Sequence, residues 1–402
     1  MAYVYSILGA GRQGTAAAYD LGLRGEASEI RLIDDDLERA RGAAERVQRL
    51  LVQHRGAAPA PPPALRALRV DVRDRAALVG AISGSGAVLS AVPYRFNVEA
   101  ATAAIEARCH FNDLGGNTGV VREELALAPR AEAAGISIVP DCGLAPGMSQ
   151  TLAVFAMSRV ERPRHVKIRC GGLPQKPRPP LGYMLVFNVA GLTNEYTGQA
   201  VVIRAGKVVE LPAFTEPEEI EFPMPVGRCQ AFLTSGGTST APWTFEGKLE
   251  TYDYKTVRYE GHYDRVRSLI DLGFLDTAPV TLGGQRVVPR ELTHALFEKA
   301  LWFPDDTDLV VLRVECSGEG ASGSYVPGAF AGYRIDILDF QDPATGFTAM
   351  ERTTAFPAAI VSCLQASGAI AAGAHSVETG VPAERFVSLL DRRGFKIVHS
   401  RF

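Results

Sequence analysis

The chain has 402 residues, of which 47% are hydrophobic and 22% charged, with a formal net charge of −3. This length predicts two domains, and the composition is typical of a globular protein. The slight negative charge argues against nucleic acid or an anionic membrane as the main partner, and no apolar run approaches the length of a membrane span.

Cysteine, histidine and the first residues of the chain narrow the class of protein further. The six cysteines are scattered without a Cys-x-x-Cys pair, so neither a disulfide framework nor a zinc site is predicted. The seven histidines are equally dispersed, and we expect no bound metal. No basic segment followed by an apolar one opens the chain, so we expect a cytoplasmic protein.

The first residues carry the pattern of a dinucleotide-binding unit. Val4–Leu8 predicts a strand, and the motif Gly-Ala-Gly-Arg-Gln-Gly follows it before a run of small residues. Gly9 permits a tight turn, Gly11 lets the backbone approach a pyrophosphate, and Gly14 lets the helix pack close to the strand. The helix N-terminus then offers N–H groups and its positive dipole end to the phosphates.

The next predicted strand, Ile30–Ile33, ends in Asp34-Asp35-Asp36. An acid at this position can accept both ribose hydroxyls of an adenosine. Asp34 favours NAD over NADP, because a 2′-phosphate would meet its negative charge. Arg12 favours the opposite choice, since a guanidinium can pair with such a phosphate. NAD is the predicted cofactor, with NADP as the alternative.

After a helix at Leu37–His54 and a proline-rich loop at Ala57–Pro63, strands and helices alternate. This alternation predicts a doubly wound parallel sheet, an α/β Rossmann fold with strand order 3-2-1-4-5-6 and ligand at the carboxyl ends of its strands. The predicted strands are Leu68–Val72, Ala87–Val92, His110–Leu114 and Ile136–Val139, and the helices are Asp74–Ile82, Asn97–Ala107 and Val121–Ala134.

Three strand ends of this domain carry polar and glycine-rich loops: residues 90–97, 112–118 and 140–148. Each alone is typical of a turn, but all three lie at the sheet edge where the nicotinamide must lie. The predicted cofactor-binding residues are therefore Gly9, Gly11, Arg12, Gln13, Gly14, Asp34, Asp35, Ala91, Val92, Pro93, Asn97, Asp113, Leu114, Gly115 and Gly116.

Past Pro140, strands follow one another with few helices, which predicts a second, α+β domain on a mostly antiparallel sheet. We expect domains at 1–140 and 141–350, with helices in 351–402 returning to the first domain. The predicted strands are Val166–Arg169, Ala200–Leu211 with a turn at Ala205-Gly206, Gln230–Thr234, Leu249–Tyr259, Leu309–Glu315, Tyr333–Phe340, Gly346–Arg352 and Phe395–His399. The predicted helices are Met148–Ser158, Tyr263–Leu272, Pro289–Leu301, Thr353–Ala371 and Pro382–Arg393.

Polar groups of this second domain suit a small anionic ligand. The loop Thr234–Thr240 offers backbone and hydroxyl donors to a carboxylate. Lys255 and Arg258 lie three residues apart on one strand, so they point to opposite faces. His262 opens a helix, where on its own it is typical of a cap or a surface residue.

In chain order, these segments resemble the saccharopine dehydrogenase-like family, most closely its L-lysine 6-dehydrogenase branch. Ala145 stands where saccharopine- and carboxyspermidine-forming relatives tend to carry Asp, and Asn117 stands where the lysine branch tends to carry His. The segments that carry the resemblance are Gly9–Gly14, Asp113–Gly116, Pro140–Met148, Gly171–Tyr196, Thr234–Thr240, Tyr254–His262 and Arg352–Thr354.

The resemblance implies NAD-dependent oxidative deamination of an amino-acid side-chain amine, with L-lysine as the expected substrate. It brings Asp141 and Glu195 near the cleft as candidate bases, with His262 as a third. The candidates for holding the substrate carboxylate are Tyr183, Tyr196, Thr238, Ser239 and Arg258.

Two alternatives stay open at this point. One is a reductase that joins an amine and a carbonyl acid into a secondary amine with NAD(P)H, as in saccharopine or carboxyspermidine formation. The other is a dinucleotide-binding sensor without turnover. In each enzyme hypothesis the partner is a small amino acid or amine, and we expect a homo-oligomer formed through the second domain.

Overall fold

The computed structural model describes residues 2–54, 61–318 and 332–402, so most of the predicted proline-rich loop lies outside the described residues. The N-terminal part contains β1 Tyr3–Leu8, α1 Arg12–Arg24, β2 Ala27–Asp34, α2 Leu37–His54, β3 Ala64–Arg69, α3 Arg75–Ile82, β4 Ala87–Ser90, α4 Asn97–Ala107, β5 His110–Asp113, α5 Thr118–Leu125, α6 Ala128–Ala134, β6 Ser137–Val139 and α7 Ser149–Met157.

The middle of the chain contains β7 Pro163–Pro174, α8 Val189–Glu195, β8 Gln199–Arg204, β9 Lys207–Pro212, β10 Glu218–Phe222, β11 Gly227–Leu233, α9 Ala241–Phe245, β12 Thr251–Tyr259, α10 His262–Asp271, β13 Val280–Leu282, β14 Gln285–Val287, α11 Pro289–Ala300, β15 Asp308–Gly318 and β16 Gly332–Phe340. The C-terminal part contains α12 Ala349–Ala366, β17 Gly373–Ala374, α13 Val377–Gly380, α14 Ala383–Asp391 and β18 Ile397–Arg401.

The first sheet is parallel and confirms the predicted Rossmann order. Its strands run β17-β6-β5-β4-β1-β2-β3, which is the order 3-2-1-4-5-6 with one further strand from the C-terminal part. The strand order reverses at β1, which pairs with both β2 and β4. A crevice at the carboxyl ends of β1 and β4 is where this topology places a ligand.

Two boundaries in this domain differ from prediction. β3 begins at Ala64, before the predicted start, because it pairs with β2 from Glu29 to Asp34. The single helix predicted over Val121–Ala134 is wrong, since α5 and α6 are separate. Pro129 lies in the first turn of α6, where its missing N–H costs nothing, whereas inside a continuous helix it would break a hydrogen bond.

The second sheet has nine strands and is mostly antiparallel, as predicted. Its order is β10-β11-β12-β7-β15-β16-β18, with the hairpin β8–β9 attached through β8 to β12. Among the pairs described, β7 with β12 is parallel and the others are antiparallel. This sheet packs against α7 and α12, which separate it from the first sheet.

The strand predicted over Gly346–Arg352 is wrong, because α12 begins there. Thr348 caps the helix by accepting the N–H of Glu351, whose carboxylate accepts the N–H of Thr348 in return. This reciprocal pattern is a capping box, which marks the start of a helix. The helix also ends earlier than predicted, since Gly368 takes a φ of +68° just beyond it.

The C-terminal part of the chain touches both sheets. α12 packs against α1, β4 and β5, and β17 pairs with β6 at the edge of the first sheet. β18 pairs with β16 at the edge of the second sheet. A buried ion pair of 2.7 Å joins Arg393 to Asp20 of α1. The C-terminal part therefore connects the two sheets. The domain boundaries at residues 140 and 350 stay a prediction.

Within the described residues, no helix is long and apolar enough to cross a membrane.

Candidate functional site

The glycine loop between β1 and α1 has the shape that a dinucleotide requires. Gly9 has a φ of +89°, and a Cβ there would lie 2.9 Å from the carbonyl oxygen of Ala91. A Cβ at Gly14 would collide with the carbonyl of Gly9, so only glycine lets α1 approach the strand so closely. At Gly11 no described atom lies within 4 Å of where a Cβ would stand, which leaves space for a pyrophosphate beside the start of α1.

The adenosine end of this groove is a pocket of about 450 Å³ that contains both acids and guanidinium groups. The Asp34 carboxylate accepts the N–H of Ala10 at 2.8 Å and the N–H of Asp36 at 3.0 Å. Burial opposes ionisation of Asp34, but these backbone donors and Arg39 together lower its pKa. The carboxylate is therefore ionised and already bonded to the loop that it supports.

Two arginines line the same pocket. The guanidinium of Arg39 lies 3.0 Å from Asp34 and 3.8 Å from Asp35, and its side chain is 53% exposed. Arg73 makes a two-pronged contact with Asp71. Arg12, whose position in the loop had suggested a phosphate contact, ion-pairs instead with Glu351 at 2.6 Å. The cationic groups in this pocket are thus Arg39 and Arg73 with Arg95 at its far end.

A cleft of about 710 Å³ lies between the carboxyl edge of the first sheet and the second domain. Its walls come from both domains: Ala91, Val92, Pro93, Tyr94, Arg95, Gly115, Gly116, Asn117, Thr118, Asp141, Ala145 and Pro146 on one side, and Phe187, Asn188, Ala190, Gly191, Asn194, Glu195, Thr234, Ser235, Gly236, Gly237 and Tyr254 on the other. This volume is ordinary for a small-molecule site.

Several predicted cofactor residues support the cleft from behind. Asn97 is buried and accepts the hydroxyl of Ser90 at 2.8 Å. Asp113 is completely buried, and Leu114 packs against the core. The Gln13 side-chain oxygen is buried without a hydrogen-bond partner among the described residues. These four residues therefore shape the loops around the cleft.

Asp141 is the most constrained acid at the cleft. It has a φ of +61° and is 3% exposed, and the Ser239 hydroxyl donates to its Oδ2. Its Oδ1 has no partner within the described part of the chain. Gly115 crosses directly over this carboxyl, where a Cβ would collide with Oδ1. Burial and the nearby charge of Asp113 raise the pKa of Asp141 to about 7.

A buried carboxyl pair lies behind Asp141. Oδ1 of Asp113 accepts the N–H of Gly115 at 2.6 Å and the N–H of Asp141 at 3.2 Å. Beside it, Glu124 is completely buried, and no described donor reaches its two oxygens. Burial and the neighbouring Asp113 raise the pKa of Glu124 to about 11. Glu124 is therefore protonated near neutral pH. Burial also raises the pKa of Asp113, but the bonds that its carboxyl accepts oppose this shift, and it is the Asp113 charge that raises the pKa values of Glu124 and Asp141.

Glu195 faces the cleft from the end of α8. Its Oε2 lies 3.4 Å from the Arg258 guanidinium, and its side chain is 32% exposed. Burial raises the pKa of Glu195 to about 7 even though Arg258 acts in the opposite direction. The cleft thus presents two carboxyls, one from each wall, whose pKa values lie close to neutrality.

Arg258 is buried beneath the wall of the cleft. Its Nε donates to the Tyr196 hydroxyl at 3.1 Å, and its Nη1 donates to the Val257 carbonyl. The guanidinium lies 4.7 Å from the centre of the Tyr183 ring. Lys255 points to the opposite face of the strand and donates to Glu218 at 2.9 Å. Each cation is thus held by groups of its own domain.

His262 is buried next to this arrangement. Its Nε2 lies 2.9 Å from the Tyr196 hydroxyl and its Nδ1 lies 3.0 Å from the Leu181 carbonyl. Because Arg258 donates to the same hydroxyl, the Tyr196 O–H is free to donate to Nε2. Burial lowers the pKa of His262 to about 3, so the ring is neutral. The structure places His262 behind Tyr196 rather than among the residues that line the cleft.

The other predicted substrate residues lie behind the lining as well. Thr238 donates to the Val201 carbonyl at 2.8 Å, and Ser239 donates to Asp141. Sequence reasoning missed Arg95, Asn188 and other polar groups that do line the cleft. Arg95 had a usable signal, because it lies between the predicted residues Pro93 and Asn97 in the fourth-strand loop.

Sequence comparisons assign this fold and groove to a family. The sequence model of the saccharopine dehydrogenase NADP-binding domain matches residues 6–139, and that of the saccharopine dehydrogenase C-terminal domain matches residues 143–395. The chain therefore belongs to the saccharopine dehydrogenase family.

Curated relatives include two proteins named saccharopine dehydrogenase [NADP(+), L-glutamate-forming]. The one from Saccharomyces cerevisiae is 25% identical over 61% of this chain and 60% of its own length. The one from Schizosaccharomyces pombe is 28% identical over 53% of this chain and 49% of its own length. The matched part of the chain spans about half the length of these relatives.

A solved structure with the same fold is that of apo saccharopine dehydrogenase (L-Glu forming) from Saccharomyces cerevisiae. It aligns over 100% of both chains with a TM-score of 0.78 and 20% sequence identity. At this identity the match demonstrates a shared fold.

The prediction that NAD is preferred over NADP is wrong. The domain model that matches the groove is that of an NADP-binding domain, and the curated relatives carry NADP(+) in their names. The sequence argument assumed that Asp34 is available to repel a 2′-phosphate. In the structure this carboxylate is bonded to the loop and paired with Arg39, so its charge is locally compensated.

Proposed function

We propose that this chain is an NADP(H)-dependent oxidoreductase that acts on a carbon–nitrogen bond of an amino-acid-derived amine. The observation that carries the proposal is the pair of cleft carboxyls, Asp141 and Glu195, whose pKa values are raised to about 7. Amine oxidation needs a group that accepts a proton near neutral pH, and both carboxyls line the cleft that adjoins the dinucleotide groove at Ala91, Val92 and Pro93.

The glycine loop would hold the cofactor pyrophosphate, and Arg39 and Arg73 would hold a 2′-phosphate. When bound, the cofactor would supply hydride transfer to and from the substrate carbon. Asp141, which lines the cleft, accepts the proton that the substrate nitrogen or an attacking water loses. The Ser239 hydroxyl fixes Oδ2 of this carboxyl, so the carboxyl has one defined orientation.

Glu195 has a different part in this proposal. Its ion pair with Arg258 fixes the carboxyl on the wall opposite Asp141, where it accepts a hydrogen bond from the substrate nitrogen. His262 and Tyr196 hold Arg258 in place without contacting the substrate. In the reductive direction the same groups act in reverse, with Asp141 returning its proton.

The favoured substrate class is a secondary amine that joins two amino-acid portions, as in saccharopine. The names of the curated relatives support it, as does a cleft of about 710 Å³ with polar groups along both walls. Oxidation of the amine, followed by addition of water to the resulting imine, yields an amine and a carbonyl compound.

The homo-oligomer expected from the sequence stays a prediction.

Oxidative deamination of L-lysine at its side-chain amine is the second candidate. Ala145 favours this candidate, because it lines the cleft at the position where saccharopine-forming relatives tend to carry Asp. Without a carboxylate at this position, the cleft has fewer polar groups that a bound substrate must satisfy, and this suits a smaller primary amine.

Nicotinamide absorbance with purified protein separates these candidates. NADP⁺ is mixed with saccharopine, L-lysine or L-ornithine, and NADPH is mixed with L-glutamate plus an amino-acid aldehyde. We expect reduction of NADP⁺ by saccharopine. Turnover with L-lysine alone would replace the first candidate by the second. NADPH binding without turnover of any compound would contradict both and indicate a dinucleotide sensor.

A further inference from the structure

The cleft contains a single cationic side chain among its described lining residues, that of Arg95. It is exposed, and no acid in the described ranges lies within ion-pair distance of it. Its guanidinium carbon lies 4.5 Å from the centre of the Phe96 ring. The two acids of the cleft, Asp141 and Glu195, are held by other groups. Arg95 is therefore a positive charge in the cleft without an acidic partner among the described residues.

The other cations near the cleft are already paired. Arg258 contacts Glu195, Tyr196 and its own backbone neighbour, and only 3% of its side chain is exposed. Lys255 points to the opposite face of the sheet. Neither can reach an anion in the cleft without breaking its own ion pair, with Glu195 for Arg258 and with Glu218 for Lys255.

The backbone that carries Arg95 is firmly placed. Arg95 lies in a single helical turn at Tyr94–Phe96, directly after β4. The turn follows Pro93 and precedes Asn97, whose side chain is hydrogen-bonded to Ser90 in the core. Arg95 also lines the dinucleotide groove, so its side chain lies at the junction of the groove and the cleft. An anion in either space is within reach of this position.

We propose that Arg95 binds the carboxylate of the amino-acid substrate and so selects amino acids over simple amines. This inference rests on the proposed function. A guanidinium presents two parallel N–H donors to a carboxylate, and this geometry gives direction as well as attraction. With Arg95 on the carboxylate, the substrate nitrogen is left for Asp141 and Glu195.

The test compares substrates with and without a carboxylate. Wild type and the variants R95A and R95K are assayed with NADP⁺ and whichever of saccharopine or L-lysine is turned over, and with 1,5-diaminopentane, the lysine analogue without a carboxylate. For R95A we expect the KM of the amino acid to rise about ten- to hundredfold with little change in kcat. R95K should recover part of this loss, and activity on 1,5-diaminopentane should not change.

A matched control isolates the cofactor. R41A changes an exposed arginine that pairs with Glu38 and lines neither the groove nor the cleft, so it should leave both the amino-acid KM and the NADPH affinity unchanged. The NADPH dissociation constant of each variant is measured by fluorescence. A weaker NADPH affinity in R95A with an unchanged amino-acid KM would assign Arg95 to a cofactor phosphate and overturn the inference.

Two further results separate this inference from the proposed function. If wild type oxidises 1,5-diaminopentane as well as the amino acid, Arg95 is not selective although the oxidoreductase proposal stands. If nothing is turned over, calorimetry with saccharopine and L-lysine on the NADP⁺-loaded protein decides: binding that R95A abolishes supports Arg95 while the oxidoreductase proposal fails. No binding of either compound overturns both.

Discussion

The two walls of the cleft hold their carboxyls by different means. On the Rossmann side, Asp141 is fixed by a left-handed backbone, by Gly115 above it and by the Ser239 hydroxyl. The charge nearest to it is that of another carboxylate, Asp113. On the other side, Glu195 is fixed by the cation Arg258. Both arrangements bring the carboxyl pKa to about 7. Like-charge repulsion adds to burial in the first, whereas the ion pair offsets burial in the second.

This difference suggests a division of labour between the walls. An acid without a cationic partner can lose and regain a proton without breaking an ion pair, which suits a general base. An acid held by a buried arginine loses its ion pair when it takes up a proton, so its protonation state changes less readily. We therefore assign proton transfer to Asp141 and substrate positioning to Glu195.

The largest effect is expected from removing the proton acceptor. D141N keeps the shape of the side chain and its bond from Ser239, but an amide cannot accept the proton. We expect kcat to fall by about 10²–10⁴, the range of general-base contributions. E195Q is the comparison on the opposite wall and should cost less than D141N, mainly through KM. Equal losses, or a larger loss in E195Q, would reverse the assignment.

A smaller effect is expected where the Rossmann wall meets the adenosine pocket. R39A removes the guanidinium that compensates Asp34, so a 2′-phosphate would face uncompensated acids. We expect the KM for NADP⁺ to rise about tenfold while that for NAD⁺ changes little. R41A alters an exposed arginine of the same helix that pairs with Glu38 and is the control. An equal loss for both cofactors would show that Arg39 does not read the phosphate.

The same contrast explains which parts of the site the sequence could predict. The Rossmann wall is encoded by contiguous motifs, because glycines with positive φ and polar residues at strand ends lie within a few positions of each other. Gly9, Gly115 and Asp141 could therefore be located before the structure was known. The capping box at Thr348 was equally local, but Gly346–Arg352 was interpreted as a strand.

The second wall depends on contacts between distant segments. Glu195 meets Arg258 across 63 positions of sequence, and the rings of Tyr183 and Tyr196 lie against the Arg258 guanidinium. Sequence can suggest that such residues are polar and unusual, but it cannot tell a side chain that lines a cleft from one that supports it. The cofactor error had this origin only in part, since Asp34 accepts a bond from Ala10, 24 positions away, but is also bonded by Asp36 and Arg39 close to it in sequence.

The smallest effect is a shift of the pH profile, and its direction tests the comparison between the walls. If Asp141 is the base, kcat/KM falls as the pH falls through its pKa. The charge of Asp113 raises that pKa, so removing the charge should lower it and move the acidic limb of the profile to lower pH by about one unit. Because loss of the Asp113 charge also lowers the pKa of Glu124, the variant to measure is the double substitution D113N/E124Q, which leaves no titratable group at either position.

Two controls make this shift decisive. E124Q alone leaves the charge on Asp113 and replaces a carboxyl that is already protonated, so its acidic limb should match wild type. R258M removes the cation that lowers the pKa of Glu195, so that pKa rises further. If Glu195 were the base, R258M would move the acidic limb to higher pH and D113N/E124Q would leave it in place. With Asp141 as the base, D113N/E124Q moves the acidic limb to lower pH and R258M leaves it in place. Every variant is compared with wild type on the same substrate, so that titration of the substrate amine cancels.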